Sequence, residues 1–122
     1  MKLYLAHSDG NYLITGYDKE WVEINKQRYS NSLIVLPTQL IQNWNIANIE
    51  SIQAEHFEQI ASYKPDVVLL GTGSQHKFIH PKLSVALTNV GISLECMSTD
   101  AACRTYNILM SEGRNVAACL LI

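Results

Sequence analysis

The chain has 122 residues, of which 48% are apolar and 16% are charged, and its formal net charge is −2. This composition predicts one folded domain over residues 1–122 and excludes a disordered chain. The nine Lys and Arg residues are scattered along the sequence, which argues against a nucleic acid as the main partner and against polybasic membrane anchoring.

The cysteines and the N-terminus predict a cytoplasmic protein. The three cysteines are an odd number without the spacing of zinc ligands, as expected of reduced thiols. From Met1 the chain runs directly into KLYLA, so neither a signal peptide nor a transit peptide is expected. The longest apolar run is far too short for a membrane span.

The first third of the chain is predicted to be rich in β-strands. KLYLA and YLITGY flank an Asp9-Gly10 turn, which favours a hairpin. The segment WVEINKQRY (21–29) alternates between apolar and polar residues and is predicted as a strand, with Val22 and Ile24 on one face.

The next segments change from a buried strand to a helix. SLIVLP (32–37) is a continuous apolar run ended by a proline, which predicts a strand covered on both faces. The section 38–53 is expected to contain a short helical turn and a loop, with Trp44 packed beneath the domain. A helix is expected to begin near Ala54, with an apolar stripe made by Phe57, Ile60 and Ala61.

From residue 66 onwards the pattern predicts β-α-β-α-β. Strands are expected at 66–70, at 92–97 and over the last eight residues, where apolar side chains on both faces indicate a strand inside the sheet. The first helix begins with Pro81, and its core stripe is expected to consist of Leu83, Ala86, Leu87 and Val90. Right-handed crossovers make the first two strands parallel, so the loops that follow them should open at one edge, where α/β sheets usually bind ligands.

The glycine-rich loop GTGSQH (71–76) invites comparison with nucleotide-binding loops. His76 stands where a dinucleotide fingerprint needs its third glycine, and no GK[ST] follows, so dinucleotide binding and a P-loop both fit poorly. A tight turn is the favoured interpretation, with a small-anion loop as the alternative. His76 and His80 have H-x3-H spacing but lack a third ligand nearby, so no metal site is predicted.

The stretch MSTDAACRTYN (97–107) is predicted to cap and begin the last helix, with Ser98 or Thr99 as the capping residue. Helical phase places Cys103 at the rim of the sheet-facing side. A reactive thiol needs a histidine base or a strongly electropositive pocket, and neither is evident, so Cys103 is not predicted to be a nucleophile. An exposed polar stripe is expected just outside the sheet-facing side, made by Arg104, Asn107 and Ser111.

Several segments occur in a fixed order along nearly the whole chain: YSNSLIVLP, Trp44, VVLLGTG, the helix after Pro81, GISLECMSTDAACRTYN and EGRNVAACLLI. Together they resemble a widespread family of small α/β proteins of unknown function, whose mitochondrial members include assembly factor 3 of respiratory complex I. The most specific positions are Gly71-Thr72-Gly73, Thr99, Ala102, Thr105, Tyr106, Asn107 and Gly113-Arg114.

The resemblance implies a fold and a biological setting. The fold is α/β, a three-layer single domain with a mixed central sheet and a β-rich N-terminal part, followed by the β-α-β-α-β half. The family has no assigned activity, so the resemblance implies no catalytic residue, metal or cofactor. It suggests protein partners, such as respiratory complex subunits or assembly factors. No targeting extension like that of the mitochondrial members is expected, which fits a bacterial cytoplasmic relative.

Two hypotheses about function follow. The first is a non-enzymatic accessory or interaction protein that resembles a complex I assembly factor, with a homodimer as the default assembly. The second is a protein or enzyme that binds a small anion or metabolite at the edge formed by residues 71–74 and 98–104. The residues expected to bind a ligand or partner are Gly71, Thr72, Gly73, Ser74, Thr99, Asp100, Arg104 and Asn107.

Overall fold

Two β-sheets and three α-helices make up the part of the chain that the computed structural model describes, residues 11–122. The strands are β1 (Ile14–Tyr17), β2 (Val22–Ile24), β3 (Gln27–Tyr29), β4 (Leu33–Leu36), β5 (Gln39–Ile41), β6 (Val67–Gly71), β7 (Ser93–Met97) and β8 (Val116–Leu120). The helices are α1 (Ala54–Ser62), α2 (Val85–Thr88) and α3 (Thr99–Ser111), with short 3-10 segments at Ile49–Ser51 and Pro81–Ser84. The predicted strand KLYLA and the Asp9-Gly10 turn lie outside the described residues.

The larger sheet has five strands in the order β5-β4-β8-β6-β7. It is mixed, because β6 is parallel to both β7 and β8 whereas β4 is antiparallel to β5 and β8. Strand β8 lies at its centre, as expected for a strand that is apolar on both faces. The side chains of β8 and of the residue after it alternate between two cores: Val116, Ala118 and Leu120 lie in one, and Ala117, Cys119 and Leu121 in the other.

Each face of the central sheet is covered by a layer. On one face α3 and the small sheet β1-β2-β3 enclose the first core, which includes Tyr106 and Val22. On the other face α1, α2 and the segment around Trp44 enclose the second core, which includes Phe57 and Leu87. The three-layer α/β fold with a mixed sheet is therefore confirmed.

The segment 21–29, predicted as a strand, is a hairpin. Strands β2 and β3 are joined by Asn25 and Lys26, whose φ angles are 50° and 73°. Two consecutive left-handed residues make the two-residue turn that suits the twist of a hairpin. The Thr15 side chain of β1 stabilises the turn, because its hydroxyl accepts the backbone amide of Lys26 over 3.0 Å. The expected inward orientation of Val22 and Ile24 is confirmed, since both are buried.

The section 38–53 contains a strand that the sequence analysis missed. Strand β5 pairs antiparallel with β4 at the edge of the central sheet, and the expected helical turn follows only at Ile49–Ser51. A strand of three residues is too short to show the alternation by which strands are recognised. Trp44 is only 4% exposed, so its predicted burial is confirmed.

The helix predicted after His80 begins at Pro81, but it is short. It is a 3-10 turn that continues into the four-residue α2, and it ends at Thr88. Leu87 is fully buried, whereas Val90 is 64% exposed and does not belong to the core stripe. The prediction for Val90 was wrong because the chain has left the helix before that residue and turns at Gly91, where φ is 76°.

Candidate functional site

The loop after β6 meets the first turn of α3 at one edge of the central sheet, as the parallel topology predicted. The backbone amide of Thr99 donates to the Gly73 carbonyl over 2.8 Å. In return, the Gly73 amide donates to the Thr99 hydroxyl over 2.9 Å. These two bonds join the glycine loop to the start of α3, so the ends of β6 and β7 form one continuous edge.

Thr99 is part of the framework of this edge. Its side chain is buried, and its hydroxyl donates to the Leu121 carbonyl over 2.8 Å while it accepts the Gly73 amide. One hydroxyl thus links the glycine loop, α3 and the segment after β8. Because the proton and a lone pair of the hydroxyl are both used within the fold, Thr99 is a structural residue of the site.

Gly71 and Thr72 are also explained by local structure. A Cβ on Gly71 would lie 2.9 Å from Thr99 Cα and 3.3 Å from Ala102 Cβ, so only glycine lets α3 approach β6 this closely. The Thr72 side chain is buried, and its hydroxyl accepts the Lys77 amide over 3.1 Å. It therefore folds the loop that follows β6.

Gly73 and Ser74 line a cleft of about 300 Å³ at this edge. Gly73 has a φ of 99° and open space around its missing Cβ, so the glycine is required by the backbone conformation. Asp18 and Lys19, in the turn between β1 and β2, also line the cleft, as does Asp100. Asp18 and Lys19 are not among the residues predicted from the sequence, because only packing brings the turn that carries them to this edge.

The amides at the start of α3 are largely occupied. Ser98 caps the helix, accepting the Ala101 amide on its hydroxyl over 3.3 Å, and the Ala102 amide donates to the Ser98 carbonyl. Asp100 is exposed and adds a negative charge beside them. A small anion at this terminus would find few free donors and a nearby carboxylate, so the geometry disfavours anion binding here.

Arg104 is exposed on the outer side of α3, and its position is fixed. Its guanidinium donates to the Tyr17 hydroxyl over 3.0 Å, and this bond raises the pKa of Arg104. One turn further along the helix, Ile108 is 58% exposed. The outer side of α3 thus presents a held cation and an uncovered apolar side chain, the kinds of group found at the centre of protein interfaces.

Asn107 is not the exposed contact residue that helical phase indicated. Its amide oxygen accepts the Ile14 backbone amide over 3.0 Å, and its amide nitrogen donates to the Ile14 carbonyl over 2.7 Å. The side chain therefore makes the backbone hydrogen bonds that a neighbouring strand would otherwise make with β1, and it holds the small sheet against α3. The prediction was wrong because the small sheet covers this flank of the helix.

Cys103 is packed into the first core. It is fully buried, where the rim of the sheet-facing side was expected. Burial, with Asp100 as a smaller contribution, raises the pKa of the Cys103 thiol to about 12. A thiol that stays protonated at neutral pH is a poor nucleophile, in agreement with the sequence-based interpretation.

The two histidines of the H-x3-H pattern are in different environments. His80 accepts the Lys82 amide on Nδ1 at the start of the 3-10 turn, whereas the His76 ring lies 4.5 Å from that of Phe78. Across residues 11–122, no group of three or more His, Cys, Asp or Glu residues is arranged to hold a metal ion.

Comparison with protein families and known proteins gives consistent matches. A family model described as a protein of unknown function (DUF498/DUF598) matches residues 14–121. The 13 kDa major membrane protein of Francisella tularensis subsp. holarctica (strain LVS) is 33% identical over 109 residues, which cover 85% of this chain and 88% of that protein. Within the described part of the chain, no helix is both long enough and apolar enough to cross a membrane.

Two further matches concern function and fold. The mouse NADH dehydrogenase [ubiquinone] 1 alpha subcomplex assembly factor 3 is 31% identical over 110 residues, which cover 88% of this chain but only 59% of the mouse protein. The chain is also similar to a Bordetella pertussis protein whose solution structure is described as an Mth938-like domain. The two sequences are 29% identical, the TM-score is 0.82, and the match covers 99% of this chain and 92% of the Bordetella chain.

Proposed function

This chain belongs to the family of proteins of unknown function DUF498/DUF598, and we propose that it is a non-enzymatic accessory protein that binds a protein partner through the outer side of α3. The observation that carries the proposal is the pair formed by Arg104 and Ile108. The hydrogen bond to Tyr17 orients Arg104, which reduces the side-chain entropy that is lost on binding. Ile108 adds an exposed apolar contact beside it.

The neighbouring polar groups support a binding role over a catalytic one. The hydroxyl of Thr99 and the amide of Asn107 are engaged in holding the fold together. Burial raises the pKa of Cys103 and keeps its thiol protonated. These groups are therefore not free to bind or transform a substrate, whereas Arg104 and Ile108 remain accessible.

We further propose that the partner is a subunit or assembly factor of a respiratory complex. Support comes from the similarity to mammalian proteins named as assembly factors of NADH dehydrogenase, although the chain spans 59% of the mouse protein's length. A cytoplasmic location is part of the proposal. It is supported by the three cysteines, all of which are free thiols, as is usual in a reducing compartment.

The test is native affinity purification from the source organism with identification of the proteins recovered. The unmodified chain should recover respiratory complex subunits, and Arg104→Glu or Ile108→Ser should lose them. Arg114→Glu is the matched control, because Arg114 is exposed and carries the same charge. Equal recovery with Arg104→Glu, or loss with Arg114→Glu as well, would count against the proposed surface.

The 300 Å³ cleft supports a second candidate function, the binding of a small metabolite. Its lining includes Asp18 and Asp100 with Lys19, so a ligand with a cationic or neutral polar group suits it better than an anion. A metabolite of this class should raise the melting temperature, and Asp100→Ala should abolish that rise. A screen of such metabolites without any thermal shift would eliminate this candidate.

A further inference from the structure

Strand β7 forms an edge of the central sheet that is open in the described part of the chain. It is hydrogen-bonded to β6 on one side, and no strand of residues 11–122 pairs with its other side. An open strand presents unpaired amides and carbonyls, which are a template for another strand. Proteins usually shorten or cover such edges, so an uncovered one of five residues is a candidate binding surface.

The orientation of the free groups follows from the bonds at the end of β7. The Met97 carbonyl accepts the Thr72 amide over 2.8 Å, so the backbone amide and carbonyl of Met97 point towards β6. In a parallel ladder, residues that bond to the same neighbour alternate along the strand. The amides and carbonyls of Leu94 and Cys96 therefore point to the open side, and no backbone partner for them exists among residues 11–122.

Exposed apolar side chains accompany this edge. Four large apolar side chains are exposed in the described residues, and three of them belong to the segment that leads from β6 to β7: Phe78, Val85 and Val90. Phe78 precedes Ile79, which packs against the second core as Cys96 does, and Val90 lies three residues before β7. Two exposed apolar residues thus belong to the segments next to the two ends of β7.

The opposite face of β7 carries charge. Glu95 is exposed and occupies the middle of the strand, whereas Leu94 and Cys96 point into the second core. If a second copy of this chain paired antiparallel about this point, each Glu95 would lie directly opposite its symmetry mate, and like charges in that position are destabilising. A strand with a basic residue opposite Glu95 would be complementary.

We propose that β7 binds an extended segment of a partner protein by strand addition, and that this segment carries a basic residue opposite Glu95 with apolar residues on either side of it. The backbone groups of Leu94 and Cys96 supply the hydrogen bonds. The apolar residues of the segment contact the half-buried Leu94 and Cys96, and the basic residue pairs with Glu95. This mode of recognition takes affinity from the main chain and specificity from alternate side chains.

This surface is separate from the one on α3. Arg104 is held by Tyr17 of the small sheet, whereas β7 packs against β6 and α2. The two surfaces can therefore fail independently. Loss of partner recovery in Arg104→Glu tests the first surface, and peptide binding to purified protein tests the second without reference to any partner in the cell.

The probe is a synthetic peptide with the core Thr-Val-Lys-Val-Thr, and a second peptide has glutamate in place of lysine. Binding to the complete chain is followed by amide chemical shifts and hydrogen exchange in NMR. We expect fast exchange of the Leu94 and Cys96 amides in the free protein. The lysine peptide should shift and protect both amides, and it should bind roughly tenfold more tightly than the glutamate peptide.

A charge swap provides the decisive comparison. Glu95→Lys should reverse the preference between the two peptides, and Glu95→Gln should nearly remove it. Glu20→Lys is the matched control, since Glu20 is exposed near the small sheet and makes the same change of charge far from β7. It should leave the preference unchanged.

Three results would overturn the proposal. The first is protection of the Leu94 and Cys96 amides in the free monomer, which would mean that the chain covers its own edge. The second is protection that appears only as the protein dimerises, which would assign the edge to a second copy. The third is the absence of shifts at β7 with millimolar peptide, or a preference that Glu95→Lys does not change.

Discussion

Replacement of Asn107 by alanine tests how the small sheet is attached to the rest of the protein. The Asn107 side chain makes two hydrogen bonds with the backbone of Ile14, a residue that is 5% exposed. Alanine would remove both bonds and leave an amide and a carbonyl without partners. Hydrogen bonds contribute about 1 kcal/mol each, and an unsatisfied buried group costs about 1–3 kcal/mol. We therefore expect Asn107→Ala to lower the free energy of unfolding by about 2–4 kcal/mol.

The measurement is urea denaturation followed by circular dichroism, with hydrogen exchange to locate the effect. In Asn107→Ala, exchange should accelerate first in the small sheet, at Ile14 and Ile24, because this side chain joins that sheet to α3. Asn107→Asp should also be destabilising, since a carboxylate can accept the Ile14 amide but cannot donate to its carbonyl and places a negative charge against that oxygen.

Ser111→Ala is the control, because Ser111 is exposed and its hydroxyl bonds only to the Ile108 carbonyl within the same helix. We expect it to change the free energy of unfolding by less than about 0.5 kcal/mol. If Asn107→Ala were as mild as Ser111→Ala, the side chain would not be what holds β1, and the explanation given for its burial would be refuted.

Three other outcomes are expected. Gly71→Ala should lower the free energy of unfolding by about 1–3 kcal/mol, because its Cβ would lie 2.9 Å from Thr99 Cα. Gly16→Ala is the control and should be tolerated, because the nearest neighbour of its Cβ is 3.5 Å away. Equal melting temperatures for the two variants would contradict this explanation. Thr99→Val should lower the free energy of unfolding, measured by chemical denaturation, by about 2–3 kcal/mol, since it removes the acceptor for the Gly73 amide and the donor to the Leu121 carbonyl. Thr88→Val is the control at an exposed site and should lower it by less than about 1 kcal/mol. Stability should fall as the pH rises from about 9 towards 12, because burial raises the pKa of Cys103 from 9.0 to about 12 and the thiol of the unfolded chain ionises first. The stability of Cys103→Ala should fall less steeply over the same pH range. Identical slopes of stability against pH would contradict the assignment of this fall to Cys103.

Much of the second half of the fold could be predicted from local patterns. The last strand is apolar on both faces, and that pattern alone places it inside a sheet. Ser98 and Gly113 mark the two ends of α3, since a serine caps a helix start and Gly113 adopts a φ of 84° just after its end. These signals are carried by residues that are close in sequence, which is why they could be identified without a structure.

The short strands of the first half could not be predicted in the same way. Strand β5 has only three residues, so its alternation is too brief to distinguish a strand from a loop. The alternation over residues 21–29 predicted one strand, but it did not show the turn that divides the segment into β2 and β3, which have three residues each. Their stability comes from pairing with neighbours and from packing on the cores. The turn at Asn25 and Lys26 separates two of them, but Asn-Lys is a weaker turn signal than Asn-Gly.

The sequence by itself determined the β-α-β-α-β order, the parallel pairing of β6 with β7 and the meeting of residues 71–74 with 98–100, because handedness and periodicity constrain them. Only the tertiary structure decided which polar groups remain available at that edge. Thr99 and Gly73 are 26 positions apart and Asn107 and Ile14 are 93 apart. A hydrogen bond between distant residues leaves no local pattern, so a threonine or asparagine used by the fold is indistinguishable in sequence from one that is free to bind a partner.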